Sequence, residues 1–280
     1  MTDSLAWLPE PFRPFVEAAI AVTQADLRIL GLTLGGSAVT GMMDAYSDLD
    51  FVVVTDDEHH RAVLSEAPSL AARLGPLLSA FTGEHVRDPR LLLCLYGPPL
   101  LRVDLKFVTE REPNSRVEDG RILWQRNGTL DKAFRRAPAA WPRVDPQWIE
   151  DRFWIWLHNG TTKAGRGEFL ACVEQLAFLR RTVIGPLIAQ QRGHHPDGVR
   201  RLELIAPDLA PSLAKTIGDD TAIGCLHALR ATADLYLRLR EEATLIAQGG
   251  GAETATLAYL TEITHRLGNV EQSAPNDVAD

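Results

Sequence analysis

The segment from Gly35 to Asp50, GGSAVTGMMDAYSDLD, restricts the possible folds of this chain more than any other part of it. It follows a short apolar run and leads directly into the β-branched run FVVV. Two adjacent glycines after a strand allow a tight turn and let the backbone approach a ligand closely. A short helix starting at Ser37 would direct its free N–H groups toward an anion. The segment therefore predicts a strand–turn–helix unit that cradles phosphate.

Two carboxylates stand at the end of this segment. Asp48 and Asp50 are two residues apart at the start of the predicted strand, so their side chains share one face. Like charges this close repel each other unless a cation lies between them. Mg²⁺ is bound in proteins by one or two carboxylates together with substrate phosphates. The pair predicts a site for a metal and a nucleotide.

Residues 1–112 alternate between helix-like and strand-like segments, which predicts a mixed α/β domain. Apolar residues between Phe12 and Ile20 recur every three or four positions and predict a helix. The Gly97-Pro98-Pro99 connection predicts that the two strands around it form an antiparallel hairpin. The predicted strands are 27–34, 51–54, 90–96 and 100–108.

The second half of the chain has a different pattern. Residues 113–145 contain several prolines and are predicted to connect two domains. Residues 146–268 show helical periodicity and predict an all-helical bundle, whose first helix begins at Asp145-Pro146 with an N-cap and a proline at its first position. Residues 269–280 are polar and aperiodic, which predicts a disordered tail. The predicted fold class is α+β, with a mixed-sheet domain followed by a helical domain.

Composition limits the partners. The formal net charge is −8, whereas proteins that bind polyanions usually present a basic face. This favours a small substrate, with a cationic one included, and disfavours nucleic acid without excluding it; Glu150 and Asp151 are candidates to attract a cation. The sequence contains no apolar run long enough to span a membrane. Three widely spaced cysteines in apolar contexts predict buried, reduced thiols and a cytoplasmic location.

The order Gly35-Gly36-Ser37, a spacer, then Ser47-Asp48-Leu49-Asp50 resembles the signature of the DNA polymerase β-like nucleotidyltransferase superfamily. The resemblance implies a nucleoside triphosphate, ATP or another, held at Gly35, Gly36, Ser37 and Ser47. It also implies two Mg²⁺ ions and a third carboxylate on a later strand. Asp104, in LLRVDLKFV, is the best match for that carboxylate, as a metal ligand or a general base, and Glu84, in FTGEHV, is the competing candidate.

The layout after these motifs is similar to that of antibiotic adenylyltransferases that modify aminoglycosides and lincosamides. A local match lies at Lys163, followed by Arg166-Gly167-Glu168. In those enzymes a nearby lysine reaches the triphosphate, so the resemblance implies that role for Lys163. A lysine near a helix end also serves simply to complement the helix dipole.

The resulting expectation is an enzyme that transfers a nucleoside monophosphate, AMP from ATP, to a hydroxyl of a small molecule and releases pyrophosphate. An aminoglycoside or a similar antibiotic is the acceptor that the resemblance suggests. Two alternatives remain open. One is a toxin-like transferase acting on tRNA or protein, for which a basic stretch could supply the binding surface: Arg121, Arg126, Lys132, Arg135, Arg136 and Arg143. The other is a non-catalytic nucleotide-binding module.

Overall fold

The computed structural model describes residues 5–242 and 250–273. The chain divides into two compact units, Met1–Trp141 and Pro142–Asp280. Each unit has a hydrophobic core of its own, as expected for domains of this length.

The first unit is built on a six-stranded mixed sheet with the strand order β3-β4-β5-β2-β1-β6. β2 and β5 are parallel neighbours, and every other neighbouring pair is antiparallel. The predicted α+β class is therefore confirmed, and so is the β4–β5 hairpin. The strands are β1 Ile29–Leu34, β2 Leu49–Thr55, β3 Leu77–Gly83, β4 Asp88–Tyr96, β5 Leu101–Thr109 and β6 Arg121–Gln125.

Helices pack the main core of this unit against one face of the sheet. Val16 and Ala19 of the first helix are buried with Leu32, Phe51 and Val103 from the central strands. On the opposite face, Leu130 of the fifth helix packs with Val54 and Val108 in a small separate cluster. The helices of the unit are α1 Arg13–Ala25, α2 Ser37–Thr40, α3 His60–Ser65, α4 Ala67–Ala72 and α5 Thr129–Arg136.

Of the two edge strands, β6 was not predicted, and β3 was indicated only by the strand-like run FTGEHV, which overlaps its end. β6 lies inside residues 113–145, the segment that the sequence pattern assigned to a connection, and pairs with β1. Trp124 anchors it, because the indole Nε1–H donates to Thr23 Oγ1 at 2.9 Å and the ring is buried. In β3, three of the seven residues are exposed and one is buried. Short edge strands of this kind show no clear alternation of apolar and polar residues, so their pairing partners define them.

The second unit is helical, as predicted, and its first helix begins at the predicted cap. Asp145 Oδ1 accepts hydrogen bonds from the backbone N–H groups of Gln147 and Trp148 at 3.0 and 3.2 Å, and Pro146 occupies the first turn. A π-helical turn, Arg180–Ile184, joins the second and third helices. The helices are α6 Pro146–Gly165, α7 Phe169–Leu179, α8 Gly185–Gln191, α9 Leu202–Ile205, α10 Ala210–Ala214, α11 Ala222–Glu242 and α12 Gly250–Ser273.

A buried polar network lies in the core of this unit. The Glu150 carboxylate is 3% exposed and accepts hydrogen bonds from Trp154 Nε1 and Arg240 Nη1, each at 3.0 Å, and from the Tyr236 hydroxyl. Burial, with the hydrogen bond to Glu150, raises the pKa of Tyr236. The expectation that Glu150 attracts a cationic acceptor is therefore wrong, because its oxygens are enclosed and already paired.

Several smaller predictions can be compared with the structure. All three cysteines are buried and unbridged, as expected, and burial raises the pKa of Cys94 to about 11 and of Cys172 to about 12. In the predicted tail, α12 continues through Ser273, and residues 274–280 lie outside the described part of the chain. Within the described ranges, every helix is too short or too polar to cross a bilayer.

We expect Arg240→Leu to lower the free energy of unfolding by about 3 kcal/mol, because it leaves the buried Glu150 carboxylate without its ionic partner. Urea unfolding followed by circular dichroism measures the change. Arg230→Leu is the matched control, since it breaks an exposed pair with Asp234 and should cost less than about 1 kcal/mol. Equal losses in the two variants would contradict a stabilising role for the network.

Candidate nucleotide site

The glycine loop after β1 lies directly against the carboxylate of Asp50. Gly35 N–H donates to the Asp50 carbonyl oxygen at 2.8 Å, which ties the loop to the start of β2. Gly36 has a φ of +59°, and a Cβ at this position would lie 2.2 Å from Asp50 Oδ2. Both the backbone conformation and the available space therefore require glycine at position 36.

Two polar features of this loop point to a ligand. Ser37 Oγ is buried and has no hydrogen-bond partner within residues 5–242 and 250–273. Gly36 N–H donates to Glu118 Oε1 at 3.2 Å, so an exposed carboxylate occupies a position where the sequence predicts phosphate. Sequence analysis missed Glu118, which is 82 residues from Gly36 along the chain and has no motif around it.

A compact turn positions Asp48. Asp44 Oδ1 accepts hydrogen bonds from Tyr46 N–H at 2.9 Å and from the Ser47 hydroxyl at 3.1 Å, and Asp44 N–H donates to Ser47 Oγ at 3.0 Å. Short polar side chains commonly close turns in this way. The Ser47 hydroxyl, predicted to bind nucleotide, is thus engaged in the turn that leads into Asp48.

Strand pairing brings the third carboxylate beside the first two. β2 and β5 are parallel with Asp50 in register with Asp104, and residues paired in this way project from the same face. Asp104 is only 8% exposed. The three predicted carboxylates therefore converge at one end of the β2–β5 pair, although Asp104 lies more than fifty residues after the other two in the sequence.

A residue that the sequence analysis missed, Arg102, lies among the three carboxylates. Its guanidinium donates to both oxygens of Asp104, at 3.1 Å from Nε and 2.7 Å from Nη2, and Nη1 is 3.8 Å from Asp48 Oδ2. The hydrogen bond to Asp104 raises the pKa of Arg102, and the charges of Asp104, Asp48 and Asp50 act in the same direction. The available signal was its spacing, because a residue two positions before Asp104 lies on the same face of β5.

The carboxylates of this site contact the guanidinium of Arg102. Among the residues that the structure describes, no three acidic, histidine or cysteine side chains form a ready-made metal cluster. One guanidinium offsets one of three negative charges, so two remain for a further cation. Carboxylate oxygens are hard ligands suited to Mg²⁺, which completes its coordination with phosphate oxygens and water. The donor set fits a nucleotide-bound magnesium ion better than a metal held by protein alone.

Glu84, the alternative to Asp104, lies elsewhere on the sheet. It begins a 3₁₀ turn after β3, and β4 runs between β3 and β5. Phe81 of β3 is in register with Leu93 of β4, which is in register with Asp104. Glu84 follows Phe81 by three residues and lies just beyond the end of β3. Two strand spacings alone separate β3 from β5 by about 10 Å. The register favours Asp104 as the third carboxylate.

Lys163 belongs to the second unit, in the last turn of α6. Its carbonyl oxygen accepts hydrogen bonds from the N–H groups of Arg166 and Glu168, and Gly167 has a φ of +75°. The Arg-Gly-Glu stretch therefore forms the turn between α6 and α7. Contact of Lys163 with a triphosphate stays a prediction.

Comparison with known proteins agrees with the fold and the motif. Residues 20–123 match the family model of the nucleotidyltransferase domain, and this segment includes the glycine loop and all three carboxylates. This part of the chain is therefore similar to nucleotidyltransferase domains. The resemblance to the polymerase β-like nucleotidyltransferase superfamily is confirmed.

Among solved structures, an aminoglycoside 6-adenyltransferase from Bacillus subtilis is 14% identical with a TM-score of 0.36, over 92% of this chain and 97% of that chain. A nucleotidyltransferase-like protein from Exiguobacterium sibiricum is 15% identical with a TM-score of 0.32, over 94% of this chain and 96% of that chain. TM-scores this low add nothing to what the sheet and the family model establish. No curated protein matches the chain.

We expect Gly36→Ala to weaken nucleotide binding by more than about tenfold, because the new methyl group would displace the Asp50 carboxylate. Gly41→Ala is the matched control, since Gly41 also has a positive φ (+70°) but nothing lies within 4 Å of its would-be Cβ. Both substitutions should cost about 1 kcal/mol of stability from backbone strain. Titration with a fluorescent ATP analogue separates the two effects, and equal affinities would contradict the close approach.

Proposed function

We propose that this protein transfers a nucleoside monophosphate, AMP from ATP, to a hydroxyl group of a small molecule and releases pyrophosphate. The observation that carries the proposal is the convergence of Asp48, Asp50 and Asp104 around a single cationic group beside a glycine loop. Catalysis of phosphoryl-type transfer depends mainly on positioning and charge stabilisation. A carboxylate cluster next to a phosphate-accommodating loop provides for both.

Asp48 and Asp50 would hold Mg²⁺ together with oxygens of the triphosphate, and Asp104 would join them when a second ion binds. Bound Mg²⁺ supplies charge stabilisation at the attacked phosphorus and at the leaving pyrophosphate. Support comes from Arg102, because its guanidinium offsets part of the charge of these carboxylates. It donates to both oxygens of Asp104, so a second ion would compete with it for that carboxylate.

In the reaction, the acceptor hydroxyl oxygen forms a bond to the α-phosphorus while the bond from that phosphorus to the β-bridging oxygen breaks. Pyrophosphate leaves with the electron pair of the broken bond. The hydroxyl proton goes to Asp104, which acts as general base when it is not a metal ligand. Its position next to Asp50 in the sheet register keeps the base close to the metal-binding pair.

The glycine loop would bind the β- and γ-phosphates. The absence of a Cβ at Gly36 lets the loop backbone lie directly against the Asp50 carboxylate. The Ser37 hydroxyl, which has no partner among the residues that the structure describes, can donate to a phosphate oxygen. Phosphate would replace the Glu118 carboxylate on Gly36 N–H. The two anions would then exchange at one donor.

A macromolecular acceptor has less support. Arg121 and Arg126 belong to the basic stretch that such an acceptor would need. The Arg121 guanidinium stacks over the Trp7 ring at 3.9 Å, and Arg126 donates to the carbonyl oxygens of Ile29 and Gln24 at 3.0 and 2.5 Å. Both side chains therefore have local structural roles. The non-catalytic alternative is disfavoured by the complete carboxylate set.

We expect Asp48→Asn and Asp50→Asn each to lower the rate of pyrophosphate release on the order of a thousandfold. Each substitution removes a proposed ligand of the metal ion, which would stabilise the transition state by several kcal/mol. The assay combines ATP, Mg²⁺ and a panel of hydroxylated acceptors that includes aminoglycosides, lincosamides and simple glycosides. Thermal unfolding and circular dichroism should stay unchanged. Normal turnover in either variant would refute the mechanism.

Comparison of Asp104→Asn with Glu84→Gln decides which residue is the third carboxylate. We expect the Asp104 variant to lose activity on the same scale as the other two aspartate variants. The Glu84 variant should retain nearly full activity, because its carboxylate lies two strands away from β5. The reverse result would assign the role to Glu84.

We expect Arg102→Met to strengthen binding of Mn²⁺, a spectroscopic substitute for Mg²⁺, by about tenfold, because the guanidinium no longer competes for the carboxylates. Electron paramagnetic resonance of free Mn²⁺ measures this without reference to turnover. Arg111→Met is the control, since Arg111 is 82% exposed and pairs with Asp57 instead. Unchanged or weaker Mn²⁺ binding in Arg102→Met would show that the guanidinium does not compete with the metal.

A further inference from the structure

One face of β4 is apolar and belongs to no core cluster. Leu92, Cys94 and Tyr96 point into the main core of the first unit. Their neighbours in sequence alternate to the opposite face, as strand geometry requires. These neighbours are Leu91, Leu93 and Leu95, and none of them is part of a hydrophobic cluster among the residues that the structure describes.

The strand register puts this face next to the carboxylate site. Leu93 is in register with Asp104, Leu95 with Arg102, and Leu91 with Lys106. On the other side of β4, Phe81 of β3 is in register with Leu93. We call Phe81, Leu91, Leu93 and Leu95 the apolar strip. Phe81 is 56% exposed and Leu95 is 37% exposed, so the strip is accessible in the first unit.

The charged groups at one end of the strip pair with each other. Lys106 Nζ lies 3.1 Å from Asp88 Oδ2, and the Arg90 guanidinium contacts both Asp88 and Glu112. Interactions with Asp88 raise the pKa of Arg90 further. Positive and negative groups are balanced here, so this end does not present an excess of carboxylates to a polycation.

We propose that the apolar strip binds the acceptor, and that the acceptor carries an apolar substituent beside its reactive hydroxyl. The inference rests on the proposed function. The glycine loop lies on the β1 side of Asp50, and the strip lies on the far side of Asp104. In-line transfer needs the hydroxyl on the side of the phosphorus opposite the leaving pyrophosphate. The acceptor therefore approaches over β5, and β4 is the next surface that it meets.

The strip sets the class of acceptor. Contact with exposed leucine and phenylalanine side chains gains free energy mainly from apolar surface removed from water. Polycationic amino sugars offer little such surface. Alkyl- or aryl-substituted alcohols and glycosides offer it next to the reactive hydroxyl, so they are the preferred class.

Methyl and hexyl β-D-glucopyranoside provide the direct test, because they share every hydroxyl and differ only in the alkyl chain. Neamine serves as the polycationic comparison. Binding is measured by ligand-observed NMR on the full chain, in the presence of Mg²⁺ and a non-hydrolysable ATP analogue. We expect the hexyl glycoside to bind at least tenfold more tightly than the methyl glycoside and than neamine.

Leu93→Asn and Phe81→Ser should each lower the ratio of hexyl to methyl glycoside affinity at least tenfold. The affinity for the ATP analogue should stay unchanged. Phe81 is on an exposed edge strand, so its variant keeps the test valid even if Leu93→Asn fails to fold. Leu27→Asn is the matched control, since Leu27 is 80% exposed and lies outside the strip. It should keep the wild-type preference.

Tighter binding of neamine, equal binding of the two glycosides, or a preference unaffected by both strip variants would overturn the proposal. Pyrophosphate release, measured in parallel, separates it from the proposed function. A strip-dependent preference without transfer to any acceptor would support the strip as a binding surface and count against nucleotidyl transfer. Transfer to neamine alone would support nucleotidyl transfer and count against the strip as the binding surface of the acceptor.

Discussion

The parallel pairing of β2 with β5 forces two carboxylates into neighbouring positions, and the rest of the site depends on how that repulsion is relieved. Asp50 of β2 and Asp104 of β5 are in register, and Asp48 directly precedes β2. Two unit charges about 4 Å apart near a protein surface repel by roughly 4 kcal/mol. A nearby cation relieves this repulsion. Arg102 supplies one from the strand that holds Asp104.

The glycine loop is balanced in the same way. Gly36 N–H donates to the Glu118 carboxylate, so an anion from the chain itself contacts the donor that the proposed function gives to phosphate. Under that proposal, Arg102 and Glu118 hold the groups that a metal ion and a phosphate would contact. A metal-bound nucleotide would compete with both at once, because its cation would contact the carboxylates while its phosphates would contact the loop.

Local sequence patterns predicted those parts of the fold and site that are formed by residues close together in the sequence. The glycine loop, the Asp48–Asp50 pair and the β4–β5 hairpin are all encoded within short segments. Arg102 and Glu118 were missed for different reasons. Arg102 has a local signal, its spacing of two residues from Asp104. That spacing indicates a place in the site only when the pairing of β5 with β2 is known. Glu118 has only a long-range contact. Glu150 was misread because composition does not reveal burial, and the surrounding Trp154, Tyr236 and Arg240 decide it.

The sheet also separates the constrained part of the proposed site from the part that can vary. The loop and the carboxylates are held by β1, β2 and β5, where Gly36 has no room for a side chain and Asp50 must face Asp104. The outward residues of β4 are not constrained in this way, because their neighbours Leu92 and Cys94 already secure the strand in the core. Leu91 and Leu93 are half-buried and Leu95 is exposed, and none of them belongs to the main core. The core of the unit therefore does not require leucine at these positions. Because they lie beside Asp104, their side chains would be the ones to contact the acceptor that Asp104 would deprotonate.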